Sequence, residues 1–240
     1  MIDVKVIASG SKGNCTALTT GDTIILLDAG IKFKAIQEAL NFKNPTAALI
    51  THEHKDHANI ATLKELLKRG VDVYATIGTI EALNLPRRHN LRGIATNVIW
   101  TVGNCFANMI PAHHDAAAPA SFFVNDGNDF LGYVVDTGCV DKGLVEQRGW
   151  ITKLLIETNY TEATFFDAPI DAAQKERISQ SHLAVEQVVE FFEAMLPDMA
   201  SLKEIWLMHI SNRHGNGELF RQMVEAVVPE NVTVNIGASK

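Results

Sequence analysis

The sequence predicts an α/β protein built around mixed β-sheets, and two observations support that prediction. The first third of the chain alternates β-hairpins with β-α units, a pattern typical of a mixed sheet rather than a purely parallel one. The same β-α pattern then runs a second time after about Gly103, as expected of two similar halves whose loops meet at one edge. We therefore expect a sandwich with the sheets inside and the helices outside.

The apolar pattern places the individual elements. Strands are predicted where short apolar or alternating runs end in turn residues, and helices where apolar residues recur at helical spacing. In the first half, strands are predicted at 4–8, 15–20, 23–27, 47–50 and 71–75, and helices at 34–41, 60–69 and 77–85. In the second half, strands are predicted at 93–100, 105–110, 120–124, 129–135, 154–157, 205–208 and 232–236, and helices at 174–179, 183–195 and 217–227. Because no repeat, linker or break in composition interrupts the chain, we predict a single domain over residues 1–240.

Composition limits the class of protein. No apolar run reaches the length of a membrane span, and the first residues lack the basic and apolar regions of a signal peptide. The three cysteines, Cys15, Cys105 and Cys139, are scattered and odd in number, as is typical of free thiols in a reducing compartment. We therefore expect a cytoplasmic enzyme without a membrane partner. The net charge of −7 weighs against a protein that coats nucleic acid by charge alone, but not against a nuclease, because bound dications reverse the local field.

The segment Thr-His-Glu-His-Lys-Asp-His at 51–57 is the strongest chemical signal in the chain. It joins an apolar strand to an amphipathic helix, so four metal-ligand side chains fall on one turn. His52 and His54 are two residues apart in extended backbone and point the same way, so they can share one cation. Asp56 and His57 follow as the chain turns and suit a second cation. The alternative is a polar loop that is rich in histidine by accident; we favour a metal site.

The spacing His-x-His-x-Asp-His resembles the signature of the metallo-β-lactamase superfamily. Seven further segments spread over the chain: Ser-Gly-Ser-Lys-Gly-Asn-Cys at 9–15, Leu-Asp-Ala-Gly at 27–30, His-Asp-Ala at 114–116, Asp-Thr-Gly at 136–138, Glu-Thr-Asn-Tyr at 157–160, Ser-His-Leu-Ala at 181–184 and Met-His-Ile-Ser at 208–211. Together they resemble the YycJ/WalJ-like subgroup, which is associated with 5′→3′ exonuclease activity on DNA and with Mn²⁺ or Zn²⁺. The resemblance implies an αββα sandwich, two mixed β-sheets flanked by helices, with two divalent metal ions.

The resemblance also implies two ligand sets that share one carboxylate. The first metal is expected to bind His52, His54 and His114, the second Asp56, His57 and His209, and Asp136 bridges both. Three alternatives stay open at this point. His113 replaces His114 as the ligand, Asp136 is a turn residue before Thr-Gly, or His209 is a satisfied core histidine.

The nuclease branches of the superfamily hold a Glu and a His at positions similar to Glu157 and His182. A carboxylate that orients an imidazole makes a good general acid near neutral pH. The expected catalytic residues are therefore Asp56, at the metal centre, and the pair Glu157 and His182. The alternative is that Ser181 caps a helix and His182 is incidental.

Two further groups of residues are candidates for substrate contact. Ser11 and Asn14 lie in the N-terminal turn and offer donors to a phosphate, unless they only shape the turn. Residues 87–92 contain three arginines, which form either a patch that contacts a nucleic-acid strand or a solvated loop.

The leading hypothesis is a binuclear-metal phosphodiesterase, a 5′→3′ DNA exonuclease in which hydroxide formed at the two cations attacks phosphorus. Zn²⁺ and Mn²⁺ both suit a set of histidine and carboxylate donors. One alternative is a small-molecule metallo-hydrolase on the same fold, acting on a lactone, thioester or cyclic phosphodiester. The other is a non-catalytic metal-binding scaffold.

Overall fold

Two mixed β-sheets pack face to face in the computed structural model, which describes residues 1–237. The first sheet contains, in spatial order, β1 (Asp3–Ala8), β2 (Cys15–Thr20), β3 (Thr23–Leu27), β4 (Ala47–Leu49), β5 (Asp72–Thr76) and β6 (Leu91–Ile94). The second sheet contains, also in spatial order, β7 (Trp100–Val102), β8 (Cys105–Pro111), β9 (Ala120–Asn125), β10 (Phe130–Val134), β11 (Lys153–Glu157), β12 (Glu204–Met208) and β13 (Thr233–Ile236).

Helices connect the parallel strands of each sheet. They are α1 (Phe33–Ala39), α2 (Ile60–Lys68), α3 (Ile77–Leu83), α4 (Lys142–Gln147), α5 (Glu162–Phe165), α6 (Ala172–Ser181), α7 (Val185–Met195) and α8 (Gly217–Glu225). Single 3-10 turns follow α4 at Arg148–Trp150 and α7 at Leu196–Asp198. No helix within residues 1–237 combines the length and the apolar character that crossing a membrane requires.

The two halves follow the same plan. In the first, β1, β2 and β3 pair antiparallel and β3 to β6 pair parallel. In the second, β7 to β10 pair antiparallel and β10 to β13 pair parallel. The β2–β3 hairpin turns at Gly21, whose φ of 55° lies in the left-handed region that glycine adopts without a steric cost.

Three apolar layers hold the sandwich together. Side chains of both sheets, among them Phe122, Tyr133 and Leu155, fill the space between the sheets. The outer face of the first sheet packs against α1 and α2, and the outer face of the second packs against α7 and α8. Each large apolar side chain buried in this way contributes roughly 1.5–3 kcal/mol of transfer free energy. The predicted αββα sandwich of two mixed sheets is confirmed.

The strand predicted at 93–100 is wrong. Its ends belong to different sheets, because β6 stops at Ile94 and β7 begins at Trp100. Asn97 adopts a φ of 61°, which interrupts extended backbone while the chain crosses between sheets, and Val98 and Ile99 are exposed. The sequence also did not predict α4 and α5, which have six and four residues and are too short to show helical periodicity. The single domain over residues 1–240 stays a prediction, and its last three residues lie outside the described part.

Candidate metal centre

The candidate site lies where the strands of both sheets end. Asp28 directly follows β3, His52 comes three residues after β4, and Asp136 comes two residues after β10. Glu157 is the last residue of β11, and His209 directly follows β12. Because the carboxyl ends of parallel strands share an edge of the sheet, these side chains come together although they are far apart in sequence.

Three of these residues have an unusual backbone. Asp28, Asp136 and His209 adopt φ values of 60°, 50° and 52°, in the left-handed region that side-chain-bearing residues rarely occupy. Such a conformation costs about 1–3 kcal/mol and is concentrated at functional sites. Each of the three therefore leaves the line of its strand in a strained turn that the surrounding fold must maintain.

The side chains converge in three groups, the last two of which share Asp136 and His209, and in each group the donor atoms lie within 4.8 Å of one another. The first group is His52, His54 and His114; the second is Asp56, His57, Asp136 and His209; the third is Asp136, Glu157, His182 and His209. All seven predicted ligands lie in the first two groups, and the predicted acid–base pair lies in the third.

Asp136 is the carboxylate at the centre of these groups. Its Oδ2 lies 2.8 Å from His57 Nε2, 3.5 Å from His52 Nε2 and 3.7 Å from His114 Nε2, and its Oδ1 lies 2.8 Å from His209 Nδ1. Burial raises the pKa of Asp136, but His209 and His57 lower it well below its ordinary value. One ionised carboxylate thus faces both ligand sets, as a bridging ligand must.

The hydrogen bonds behind the histidines fix which nitrogen carries the proton. His57 Nδ1 lies 2.7 Å from Asp28 Oδ2, so Nδ1 donates and Nε2, which lies 2.8 Å from Asp136 Oδ2, is the nitrogen available to a cation. Thr51 Oγ1 donates to Asp28 and therefore accepts from His52 Nδ1 at 3.0 Å, which leaves His52 Nε2 with its lone pair. Among residues 1–237, no hydrogen-bond partner reaches the buried Nε2 atoms of His52 and His209. Buried imidazole lone pairs beside a carboxylate fit a divalent cation, and the donor set suits one.

Without a cation, the carboxylates alone act on these histidines. Burial lowers the pKa of His57, but Asp136 and Asp28 outweigh burial and raise it to about 10. Burial likewise lowers the pKa of His209, and Asp136 raises it well above its ordinary value. The negative charge at this centre therefore attracts either protons or metal ions.

Asp28 is a site residue to which the sequence analysis assigned no role. It is fully buried and accepts four hydrogen bonds: from His57 Nδ1, from the Thr51 amide and hydroxyl at 2.9 Å each, and from the Tyr133 hydroxyl at 3.0 Å. Burial and the nearby carboxylate of Asp28 raise the pKa of Tyr133 well above its ordinary value, so the phenol stays a donor. The signal in the sequence was an aspartate directly after a buried strand.

The structure places His114 in the cluster and leaves His113 outside it. His114 Nδ1 donates to the Ser181 carbonyl at 3.0 Å, so its Nε2 points to His54 Nδ1, 3.2 Å away. His113 is 60% exposed and its Nε2 lies 3.1 Å from Asp141. His113 is therefore positioned by a surface contact rather than by the cluster.

Glu157 and His182 form a close pair beside Asp136. Glu157 is fully buried, its Oε1 lies 2.7 Å from His182 Nδ1 and 2.9 Å from His209 Nδ1, and its Oε2 accepts the Thr137 amide at 3.1 Å. Burial lowers the pKa of His182, but the Glu157 carboxylate outweighs burial and raises it. A buried carboxylate thus orients an imidazole whose side chain remains 13% exposed at the rim.

His182 lies between two helices and belongs to neither of them. It lies in extended backbone, with φ −142°, between α6 and α7. Ser181 is the last residue of α6 and its hydroxyl donates to the Arg177 carbonyl at 2.6 Å, so it caps no following helix. The helix-cap alternative for this segment is wrong.

The two residues predicted to contact substrate, Asn14 and Ser11, differ in exposure. Asn14 is 2% exposed and its amide is used internally, accepting from the Gly10 amide at 2.8 Å and lying 2.8 Å from His57 Nε2. Ser11 is exposed and lines a pocket beside Asp56. The structure therefore favours the alternative in which Asn14 shapes the turn.

The arginine-rich segment at 87–92 lies away from the centre. It leads into β6, whose first two residues it includes and which runs parallel to β5, so it lies at the edge of the sheet opposite the strand ends that form the site. Arg92 pairs with Asp72 at 3.3 Å. This placement favours the solvated-loop alternative.

Residues 23–210 match a family model described as the beta-lactamase superfamily domain. The chain belongs to this superfamily, in its metallo-β-lactamase fold, and it is a metal-dependent hydrolase. It is 28% identical to exodeoxyribonuclease YycJ of Bacillus anthracis, over 94% of this chain and 88% of that protein. It is 30% identical to exodeoxyribonuclease WalJ of Streptococcus pneumoniae serotype 2 (strain D39), over 89% of this chain and 83% of that protein. The metallo-β-lactamase fold protein YhfI from Bacillus subtilis superposes with a TM-score of 0.75 at 20% identity, over 99% of this chain and 96% of that one. The predicted family and subgroup are confirmed.

Proposed function

We propose that the protein is a binuclear-metal phosphodiesterase that degrades DNA as a 5′→3′ exonuclease. Two relatives that match most of the chain are named exodeoxyribonucleases. The observation that supports the proposal best is the 2.7 Å contact between buried Glu157 and His182, beside the carboxylate that faces both ligand sets. An alkoxide is a poor leaving group, so a phosphodiesterase needs a proton donor at this position.

In this proposal two divalent ions, Zn²⁺ or Mn²⁺, are held by the first two groups of side chains. When bound, such ions lower the pKa of a water and offset negative charge on phosphoryl oxygens. Asp136 serves both ligand sets, and Asp28 keeps the proton of His57 on Nδ1 so that Nε2 can act as a ligand. His114 is oriented in the same way by the Ser181 carbonyl.

The proton for the leaving oxygen comes from His182. Glu157 accepts from His182 Nδ1, so Nε2 lies on the far side of the ring, away from the buried carboxylate. Glu157 itself is held by the Thr137 amide and the Asn159 amide group, at 3.1 and 3.3 Å. These contacts fix the direction in which the imidazole presents its second nitrogen.

The test uses single- and double-stranded DNA and RNA, labelled at either end, incubated with Mn²⁺ or Zn²⁺. A 5′→3′ exonuclease releases the 5′ label first as a mononucleotide, while the 3′ label stays on progressively shorter fragments. His182→Ala is expected to slow cleavage of DNA by about 10²- to 10⁴-fold. His113→Ala is the matched control, because His113 is an exposed histidine outside the cluster, and it should behave as the wild type.

A second substrate separates the role of the proton donor from damage to the site. A p-nitrophenyl phosphodiester has a leaving group that departs as a stable anion, so His182→Ala should impair its hydrolysis far less than that of DNA. Equal losses on both substrates would contradict the assigned role. A wild-type protein that hydrolyses a lactone or thioester but no phosphodiester with either metal would establish the small-molecule alternative instead.

A further inference from the structure

An open pocket of about 420 Å³ adjoins the metal centre on the Asp56 side. Its lining includes Lys12, Lys32, Lys55 and Ser11, together with Asp56 itself. We call it the lysine pocket. Neither the acid–base pair nor the ligand sets use these lysines.

Lys12, Lys32 and Lys55 are exposed, and among residues 1–237 no carboxylate lies within 4.0 Å of their ammonium groups. The ion pairs found within residues 1–237 involve other lysines, such as Lys34 with Glu38 and Lys68 with Glu65. The chain as a whole carries a net charge of −7, so three unpaired ammonium groups in one pocket oppose its overall charge. Such a local excess of positive charge attracts an anion.

Main-chain hydrogen bonds join the segments that bear the lysines. The Asn14 amide donates to the Asp56 carbonyl at 2.7 Å, and the Gly30 amide donates to the Asn14 carbonyl at 2.9 Å. The Ala29 amide donates to the His57 carbonyl at 2.8 Å. The turn with Lys12, the segment with Lys32 and the loop with Lys55 thus form one frame, built on the same backbone that places Asp56 and His57.

A second pocket adjoins the lysine pocket. This second pocket, of about 480 Å³, shares Lys12 and Ile31 with it and continues towards Lys5 and Asn212. The second pocket contributes one further lysine, Lys5, but also the carboxylate of Glu38, so the excess of positive charge lies in the lysine pocket. Because the three lysines there come from three separate segments, their charge is spread over the pocket, which suits an extended chain of phosphates better than a single small anion.

We propose that the three lysines of the lysine pocket bind successive backbone phosphates of a polynucleotide, next to the phosphate that is hydrolysed. This inference rests on the proposed function and adds to it a binding site for the strand beyond the reacting phosphate. Lys55 adjoins Asp56 in sequence and holds the phosphate nearest the reaction, and Lys12 lies on the side shared with the second pocket.

The test measures binding rather than cleavage. The protein, with its metals bound, is titrated into a fluorescent single strand of about 20 nucleotides whose linkages are phosphorothioates, and anisotropy is recorded over a range of salt concentrations. The variant K12A/K32A/K55A is compared with K43A/K64A/K142A, which removes the same charge from exposed positions outside the pocket. Thermal unfolding of both variants checks that each is folded.

The salt dependence sets the expected effect. Each lost phosphate contact lowers the salt exponent by about 0.7 for a single strand, so three contacts lower it by about 2 and weaken binding by about 100-fold near 0.1 M salt. The control variant should bind within about 3-fold of the wild type, because distant exposed charges are screened.

Two results would overturn the inference. In the first, both triple variants lose the same affinity, which would assign the effect to net charge. In the second, K12A/K32A/K55A weakens binding of thymidine 5′-monophosphate as much as binding of the strand, which would make a free nucleotide the occupant. Failure of the proposed function is seen separately, as a wild-type protein that cleaves no nucleic acid.

Discussion

Replacing Asp28 with asparagine tests whether this buried carboxylate sets the metal affinity of His57. Oδ1 of Asp28 accepts the Thr51 backbone amide, which cannot turn around, so the carbonyl of the new side chain must stay on that side. Its NH₂ group then replaces Oδ2 and faces His57 Nδ1 and the Tyr133 hydroxyl. The phenol can rotate to accept, but His57 can accept at Nδ1 only if its proton moves to Nε2. That nitrogen faces Asp136 and loses the lone pair that a cation needs.

The expected loss follows from the geometry. Removal of an outer partner that orients a ligating histidine typically lowers metal affinity by about 10- to 100-fold. This corresponds to about 1.4–2.7 kcal/mol of binding free energy. Because the amide keeps the shape of the carboxylate, the metal-free protein should lose only about 1–3 kcal/mol of unfolding free energy.

The assay is competition with a graded series of chelators, followed by measurement of the metal that remains bound. Tyr133→Phe is the matched control, since it removes one donor to Asp28 and leaves His57 its acceptor. The control should lose about 1 kcal/mol of stability and retain its metals. The reasoning is refuted if Asp28→Asn retains metal as the wild type does, or if Tyr133→Phe loses as much.

Three further outcomes are expected. Dialysis against EDTA should abolish hydrolysis, and Zn²⁺ or Mn²⁺ should restore it. Compared with protein that holds metal at about 100 times its Kd, the metal-free protein should lose about 3 kcal/mol of unfolding free energy. Unchanged melting curves would count against a resident metal. Gly30→Ala should lower the free energy of unfolding in urea by about 3 kcal/mol, because its Cβ would lie 1.6 Å from the Asp56 carbonyl oxygen. The Cβ of Gly127→Ala would meet no atom within 4 Å, so this variant should lose only about 1 kcal/mol, because of its φ of +88°. Equal losses would contradict the steric argument. Burial raises the pKa of Asp126, but two backbone amides and the N-terminal amine lower it well below its ordinary value. Its carboxylate therefore stabilises the fold fully above about pH 4, and this contribution declines as pH falls towards the lowered pKa. Asp126→Asn should cost about 1 kcal/mol at pH 7 and progressively less below pH 4, and a constant difference would refute the linkage.

The clustering of the four side chains at 52–57 could be predicted from the sequence, because they lie on one turn. His52, His54, Asp56 and His57 lie within six positions at a strand end, so their convergence depends only on strand and turn geometry. The other ligands come from separate strands. A single sequence does not say which strand ends are neighbours, so His114, Asp136 and His209 were expected only through the family resemblance.

Features that depend on contacts between the sheets were beyond sequence reasoning. Asp28 gains its role from Tyr133, which belongs to the opposite sheet and lies 105 positions away. The break between β6 and β7 depends on which sheet each half of the segment 93–100 joins. The apolar residues at 98–99 have the sequence pattern of a buried strand, although they are exposed. The lysine pocket likewise combines three segments that only the fold brings together.

The hydrogen bonds around the centre show why this edge of the sandwich is costly to build and suited to metal. Asp28, Asp136 and Glu157 are carboxylates no more than 3% exposed, and burial opposes their ionised form. Asp28 and Glu157 gain compensation from main-chain amides, at Thr51 and Thr137. Asp136 receives no main-chain hydrogen bond within residues 1–237; its carboxylate faces imidazoles instead, 2.8 Å from His57 Nε2 and 2.8 Å from His209 Nδ1. Of the three carboxylates, Asp136 is therefore the one whose compensation comes from predicted metal ligands, so bound cations should stabilise the fold most strongly through this residue.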